Sequence, residues 1–188
     1  MSLETRVSIA EAEQLVKEAF LRNGVTEAVA MSVSTALVAA EAEGQVGHGF
    51  SRVKDYIAQV KSKKINVDAK VKIEHPKPTS ISIDADYGFA YPALDQAISE
   101  GALVAKEYGS AVVSIFNSHH CGALSIQVEK IANRGLIGLM MANTPKAIAP
   151  WGGKEPFFGT NPIAFAVPRK EKDPLVIDLS LSKVARGK

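Results

Sequence analysis

Cysteine is almost missing from this sequence. Cys121 is the only one in 188 residues, which excludes an intrachain disulfide framework and suits a reducing compartment. No run of 18 or more apolar residues occurs, so no segment reads as a membrane-spanning helix. Met1-Ser2-Leu3-Glu4-Thr5-Arg6 lacks the apolar core of a secretory signal. The expectation is a soluble, cytoplasmic protein with no membrane partner. An excess of charge is lacking as well: 22 basic and 20 acidic residues leave a net charge of +2, no footprint for nucleic acid. Three familiar motifs are also absent. Without G-x-G-x-x-G after a strand there is no ordinary dinucleotide fold, and without G-x-x-x-x-G-K-[ST] no phosphate loop. The missing G-x-S-x-G argues against a serine hydrolase elbow.

What is present is ordinary for a globular protein, with 46% apolar and 22% charged residues, enough for one sizeable domain or two small ones. Ser8-x-x-Glu11 is a capping box, followed at helical spacing by Ile9, Ala12, Leu15, Val16, Ala19 and Phe20 up to Gly24. A second helix starts near Thr26, carries Val29, Val33, Ala36, Leu37 and Ala40 on one face, and stops at Gly44. After the loop Gln45-Val46-Gly47-His48-Gly49 a third helix turns Val53, Tyr56, Ile57 and Val60 inward. Residues 1–66 therefore read as a helical domain and 67–188 as an α/β domain.

In the second part, Val71–Glu74 and Ile81–Asp84 alternate around Pro76-Lys77-Pro78 and predict an antiparallel pair. Tyr91–Tyr108 predicts a helix with Pro92 in its first turn and Leu94, Ala97, Ile98, Ala105 and Tyr108 on one stripe. Ala111–Phe116 has the length and β-branching of a buried strand. Leu124, Val128 and Ile131 mark a helix ending at Gly135, and strands follow at Leu136–Asn143, Ile163–Val167 and Leu175–Leu179. Between them, Pro145–Pro162 combines glycine and proline with Trp151, Phe157 and Phe158, which predicts an ordered loop over a site. The fold class is α/β, with α+β layering: a helical unit plus a mixed sheet with helices.

The polar stretch Asn117-Ser118-His119-His120-Cys121-Gly122 at the end of a strand is the natural place for chemistry. In an extended segment His119 and His120 point opposite ways, so one can serve a site while the other packs. For an arbitrary protein, hydrogen-bonded structural histidines at a strand end are the favoured reading of such a pair. A zinc site would need His48, one of this pair and Cys121, and the usual ligand spacings are missing, so no metal is assigned. Cys121 has no evident base partner as a nucleophile. Arg52 lies one helical turn after His48 and carries a planar fork suited to a carboxylate, although on this motif alone a solvated arginine in a first turn is the better explanation.

Five segments together resemble the malate/L-lactate dehydrogenase family of the second type, NAD(P)-dependent 2-oxoacid reductases. They are His48-Gly49-x-x-Arg52 with Tyr56 beyond, Asn117-Ser118-x-His120-x-Gly122, Ala149-Pro150-Trp151-Gly152-Gly153, Gly159-Thr160-Asn161-Pro162 and Asp178-Leu179-Ser180-x-Ser182. The resemblance implies a non-Rossmann dinucleotide-binding fold, a homodimer, and a C-terminal part missing from this chain, since family members are nearly twice as long. It implies that His120 is the acid/base histidine, His48 the second histidine at the substrate, Arg52 the carboxylate anchor and Thr160 part of the same pocket. Thr144, Asp178, Leu179 and Ser180 would contact NAD or NADP. The family usually has serine before the first histidine, where this chain has Gly47.

The implied chemistry is coherent. Reduction of a 2-oxo acid needs a hydride from the cofactor, a proton and a carboxylate clamp; histidine titrates near neutrality, and its imidazolium would polarise the carbonyl. The expected function is therefore an NAD(P)-dependent dehydrogenase of a small 2-oxo or 2-hydroxy acid, malate- or lactate-like. The alternatives are an inactive fragment serving as a dimerising or binding module, and a zinc hydrolase using His48, His120 and Cys121.

Overall fold

The computed structural model describes residues 6–182. Residues 1–5 and 183–188 lie outside the described residues. By its contacts the chain forms two compact units, Met1–Ala123 and Leu124–Lys188.

In the first unit, α1 (Ile9–Leu21) begins with the capping box that its sequence predicts. Ser8 Oγ accepts the Glu11 N–H at 3.2 Å, and the Glu11 carboxylate accepts the Ser8 N–H at 2.8 Å. Ala12, Val16 and Phe20 are buried, whereas Ile9 and Leu15 are exposed, contrary to the stripe expected of them. Leu15 lies about 100° round the helix from Val16, outside the 12-16-20 row. α2 (Glu27–Ala42) buries residues on nearly every side, most of them small, which lets α1 and α4 (Ala90–Tyr108) pack closely against it. A 3₁₀ turn at Val46–His48 then leads into α3 (Ser51–Lys61). Gly49 permits this connection, because a Cβ there would run into the Glu41 side chain. The Glu41 carboxylate instead accepts the Phe50 N–H at 2.8 Å.

β1 (Lys72–Lys77) and β2 (Ser80–Asp84) pair antiparallel, as their alternation predicts. Pro76 is tolerated inside β1 because that strand is an edge and its register shifts between Glu74 and Lys77. α4 then crosses to β3 (Val112–Phe116), which runs parallel to β2. The layer between α4 and this sheet is Ile81, Ile83, Ala85, Ala93, Ala97 and Val104, with Val113 and Ile115 packed on it. Two expectations fail here. β3 is not fully buried: it is an edge with one covered face, and Val112 and Phe116 are exposed. Tyr108 is also exposed, at the end of α4.

The second unit places α5 (Leu124–Ala132) on an antiparallel sheet ordered β4 (Gly138–Met141), β5 (Ile163–Arg169) and β6 (Lys172–Leu179). Ala164 and Ala166 are fully buried on one face of β5, where α5 packs. Register places Leu139, Phe165 and Ile177 side by side on the opposite face, and likewise Met141, Ile163 and Leu179. The six described strands thus form two three-stranded sheets, not one mixed sheet. Periodicity identifies strands but not which of them pair. The change from helices to strands at residues 66–67 falls inside the first unit, because α2 packs on α4.

The loop 145–162 is ordered by main-chain bonds between Ile148 and Phe158. Its aromatics Trp151, Phe157 and Phe158 are all exposed.

Candidate active site

A line of aromatic rings carries the first unit's core outward to the histidine loop. Phe20 meets Phe89 edge to face at a centroid distance of 5.7 Å, and Phe89 meets Tyr56 at the same distance. Tyr56 in turn packs against Tyr91 and against His120. Tyr56 projects from α3 and Tyr91 from the first turn of α4; each is only 2% exposed, so each hydroxyl needs a protein partner. Tyr56 Oη lies 2.9 Å from Tyr91 Oη and 2.6 Å from His120 Nδ1. The Gly122 N–H donates to the same Nδ1 at 3.3 Å.

The end of β3 aims this loop. Asn117 takes a left-handed conformation, φ +50°, and its side-chain amide donates to Asp84 Oδ1 at 3.0 Å. The Tyr87 N–H donates to the Asn117 carbonyl at 2.7 Å. His119 and His120 then diverge as an extended segment requires. His119 approaches the carbonyls of Lys64 and Tyr87, and burial lowers its proton affinity. His120 turns to Tyr56 and stacks on His48, centroids 5.4 Å apart and planes 19° apart.

Arg52, in the first turn of α3, folds back on the 3₁₀ turn. Its Nε donates to the Gly47 carbonyl at 2.6 Å, and Nη1 lies 3.7 Å from Asp55 Oδ2. That bond fixes the plane of the guanidinium, which a freely solvated side chain would not have. His48, Arg52 and His120, 72 residues apart in sequence at the extremes, are thus brought into one cluster within the first unit.

The electrostatics correct one expectation. His120 is pushed down to about 4, first by burial and then by the positive charges of Arg52 and His48. The residue as a whole is exposed, but its ring lies against Tyr56 and His48, and these ring contacts decide the affinity at nitrogen. All three causes act in one direction. His120 is therefore neutral at physiological pH and does not present the imidazolium expected of it. Burial also pushes Tyr56 up to about 12, and burial followed by Tyr56 pushes Tyr91 well above its ordinary value, so both phenols keep their protons.

In the second unit the polar groups of the predicted cofactor residues bond to other residues of that unit. Thr144 Oγ1 accepts the Thr160 N–H at 2.8 Å and lies 3.1 Å from Thr160 Oγ1. The Thr144 N–H donates to Asn161 Oδ1 at 3.0 Å. Gly159 must be glycine here, since a Cβ would collide with the Thr144 carbonyl and the Asn161 side chain. Asp178 Oδ2 accepts the Ser125 N–H at 2.8 Å and so caps the N-terminus of α5. Ser180 Oγ donates to the Thr160 carbonyl at 3.3 Å. Leu179 is 47% exposed.

Among the described residues no three His, Cys, Asp or Glu side chains assemble into a metal-holding group. No helix among them is long and apolar enough to cross a membrane. Sequence reasoning missed Tyr91. Its signal was available: a tyrosine on the same stripe as Leu94 and Ile98 must bury a hydroxyl and therefore needs a partner.

Residues 7–188 match the malate/L-lactate dehydrogenase family. The chain is 46% identical over 182 residues to a (2R)-3-sulfolactate dehydrogenase (NADP(+)) of Chromohalobacter salexigens, covering 97% of this chain and 54% of the relative. It is 37% identical to a Δ1-pyrroline-2-carboxylate/Δ1-piperideine-2-carboxylate reductase of Pseudomonas putida, covering 99% and 54%. Among solved structures, the Δ1-piperideine-2-carboxylate reductase of Pseudomonas syringae superposes with a TM-score of 0.94 at 34% identity, over 98% of this chain and 55% of that one. The chain thus spans about half the length of the curated relatives it matches. On this family match and this identity, the chain belongs to the malate/L-lactate dehydrogenase family.

Proposed function

We propose that the protein is an oxidoreductase that moves a hydride between NADH or NADPH and a small 2-oxo or 2-hydroxy carboxylic acid, of malate or lactate kind. The observation that carries this reading is the meeting of Arg52, His48 and His120 in one cluster. Arg52, its Nε already tied to Gly47, holds the substrate carboxylate and orients the carbonyl carbon. His120, neutral, offers a hydrogen bond to the substrate oxygen. Protonating one ring of the stacked pair disfavours protonating the other, and His120 is the ring pushed down. The stacked pair of His48 and His120 passes one proton to the oxygen as the hydride reaches carbon; the carboxylate is unchanged. In the oxidation direction the same proton returns to the pair. By the family resemblance Thr160 is a further candidate for binding the substrate.

A bound nicotinamide cofactor supplies the hydride. Thr144, Asp178, Leu179 and Ser180 would hold it. Their chemistry fits its nicotinamide end: Asp178 is an acceptor for amide or hydroxyl donors, Ser180 carries a hydroxyl, and the exposed Leu179 suits an aromatic ring face. These four include no cation for a phosphate. The antiparallel β4–β5–β6 sheet and the missing G-x-G-x-x-G support a dinucleotide site unlike the Rossmann type. A cytoplasmic homodimer completes this reading, and the exposed Ile9 and Leu15 on α1 support a partner surface.

The test is NADH and NADPH oxidation by the protein supplied with a panel of 2-oxo and cyclic imino acids, beside the His48→Ala and His120→Ala variants. Oxidation with at least one acid, lost in both variants, is expected. A second reading is a module that binds without catalysis; the apolar face of Leu139, Met141, Ile177 and Leu179, all exposed, favours it. A folded protein whose addition leaves NADH and NADPH fluorescence unchanged would decide for that module.

A further inference from the structure

Two buried hydroxyls stand behind His120 and take no part in the steps above. We propose that Tyr91 and Tyr56 are positioning residues that hold His120 as its Nε2–H tautomer, through a one-way relay Tyr91 O–H to Tyr56 Oη, then Tyr56 O–H to His120 Nδ1. The proposal rests on the histidine cluster being the reductase site.

The direction follows from the one group that cannot reverse. The Gly122 main-chain N–H, 3.3 Å from Nδ1, can only donate. Nδ1 is therefore an acceptor and carries no proton, which puts the proton of the neutral ring on Nε2. Tyr56, 2.6 Å from the same Nδ1, must then donate to it. With its proton committed, Tyr56 Oη accepts from Tyr91, 2.9 Å away. Both rings are 2% exposed, so the relay runs away from bulk water. Both phenols also hold their protons more tightly than free tyrosine, as donors must. Gly122 fits the same arrangement twice. It has φ +72°, and a Cβ on it would come within 2.7 Å of Tyr91 Oη. A side chain at 122 would push the second hydroxyl away from the first.

The groups facing His120 are Arg52 and Tyr56 from α3, His48 from the 3₁₀ turn, Tyr91 behind Tyr56 from α4, and the neighbouring Cys121. Of these, Tyr56 and the Gly122 N–H bond to Nδ1. The consequence for the reaction is orientation. A neutral imidazole can donate to a substrate oxygen only from the nitrogen bearing its proton, and the relay decides which nitrogen that is.

The test is long-range proton–nitrogen NMR of the 188-residue chain with ¹⁵N-labelled histidine, which needs neither substrate nor turnover. At neutral pH the His120 signals should show an unprotonated Nδ1 and a protonated Nε2. Tyr56→Phe keeps the ring against Phe89 and removes only the hydroxyl. It should move the tautomer ratio toward a mixture and raise the His120 titration midpoint toward the ordinary histidine range. Tyr91→Phe should move both the same way by less. A proton on Nδ1 in the unaltered chain overturns the proposal without any variant. So does a folded Tyr56→Phe chain in which neither ratio nor midpoint changes. Where turnover is measurable, Tyr56→Phe should lower kcat about ten-fold and leave KM within about two-fold. An intact Nε2–H signal in a protein that oxidises no NAD(P)H would sink the reductase reading and leave the relay standing; turnover with Nδ1 protonated would do the reverse.

Discussion

The two compact units hold their polar groups in different ways. In the first, a hydrophobic layer and a line of aromatic rings end on side chains that face one another: Tyr91, Tyr56, His120, His48 and Arg52. In the second, the polar residues of the Gly159-Thr160-Asn161 segment, Thr144, Asp178 and Ser180 mostly fasten loops and cap a helix. Its sheet is covered on one face only, with Ile137, Leu139, Met141, Leu175, Ile177 and Leu179 exposed. The difference teaches that motif residues of one family can do unlike work. Those of the first unit converge on one another, and those of the second first make their own loops possible.

The contrast is open to direct attack. The largest effect belongs to the first unit: Arg52→Ala should raise KM for a 2-oxo acid by roughly 30- to 5,000-fold, the range for removing one partner of a bonded charge pair, ~2–5 kcal/mol. Steady-state kinetics with the acid varied will measure it. Next, Phe20→Ala should destabilise the chain by ~3–5 kcal/mol in urea denaturation, being a fully buried ring at the head of the aromatic line. Ile177→Ser, on the uncovered sheet face, should stay within ~0.5 kcal/mol in the isolated chain. Asp178→Ala should cost ~1–2 kcal/mol in the same experiment by uncapping α5. If Asp178 served the cofactor alone, that substitution would leave stability untouched.

The smallest expected effect is one of pH. His120 is held neutral in the folded chain to about 4, against an ordinary value of about 6.5. Below about 6.5 the unfolded chain therefore binds the extra proton and the folded chain does not, so this contribution to stability is present above about 6.5 and is lost as pH falls toward about 4. Partial exposure of His120 keeps the effect modest. Denaturation midpoints across that window should fall with acidification, and less steeply in His120→Gln.

Much of this was legible in the residues. The Ser8 capping box, the antiparallel pair around Pro78, the α4 helix with Pro92 in its first turn and the opposite aims of His119 and His120 all follow from local chemistry. Local chemistry does not carry pairing between distant strands, so one mixed sheet was expected where two form. Nor does it carry exposure: the β-branched run of β3 reads as buried, yet only Val113 and Ile115 meet α4. The candidate site was read through its histidines and arginine, which announce themselves by type. What sets their protonation was not visible, because Tyr56 and Tyr91 are 35 residues apart, and the push on His120 comes from burial in the folded chain and then from Arg52 and His48 far up the chain. Gly47, where a Cβ would meet nothing within 4 Å, was legible as a departure, and the structure leaves room there for the serine common in the family.

The most direct measurement is titration of the 188-residue chain with a 2-oxo acid, following the Arg52 Nε–H and the His120 ring signals by NMR. The account predicts saturable shifts in both, abolished by Arg52→Ala. Saturable binding that leaves both signals unmoved would contradict it.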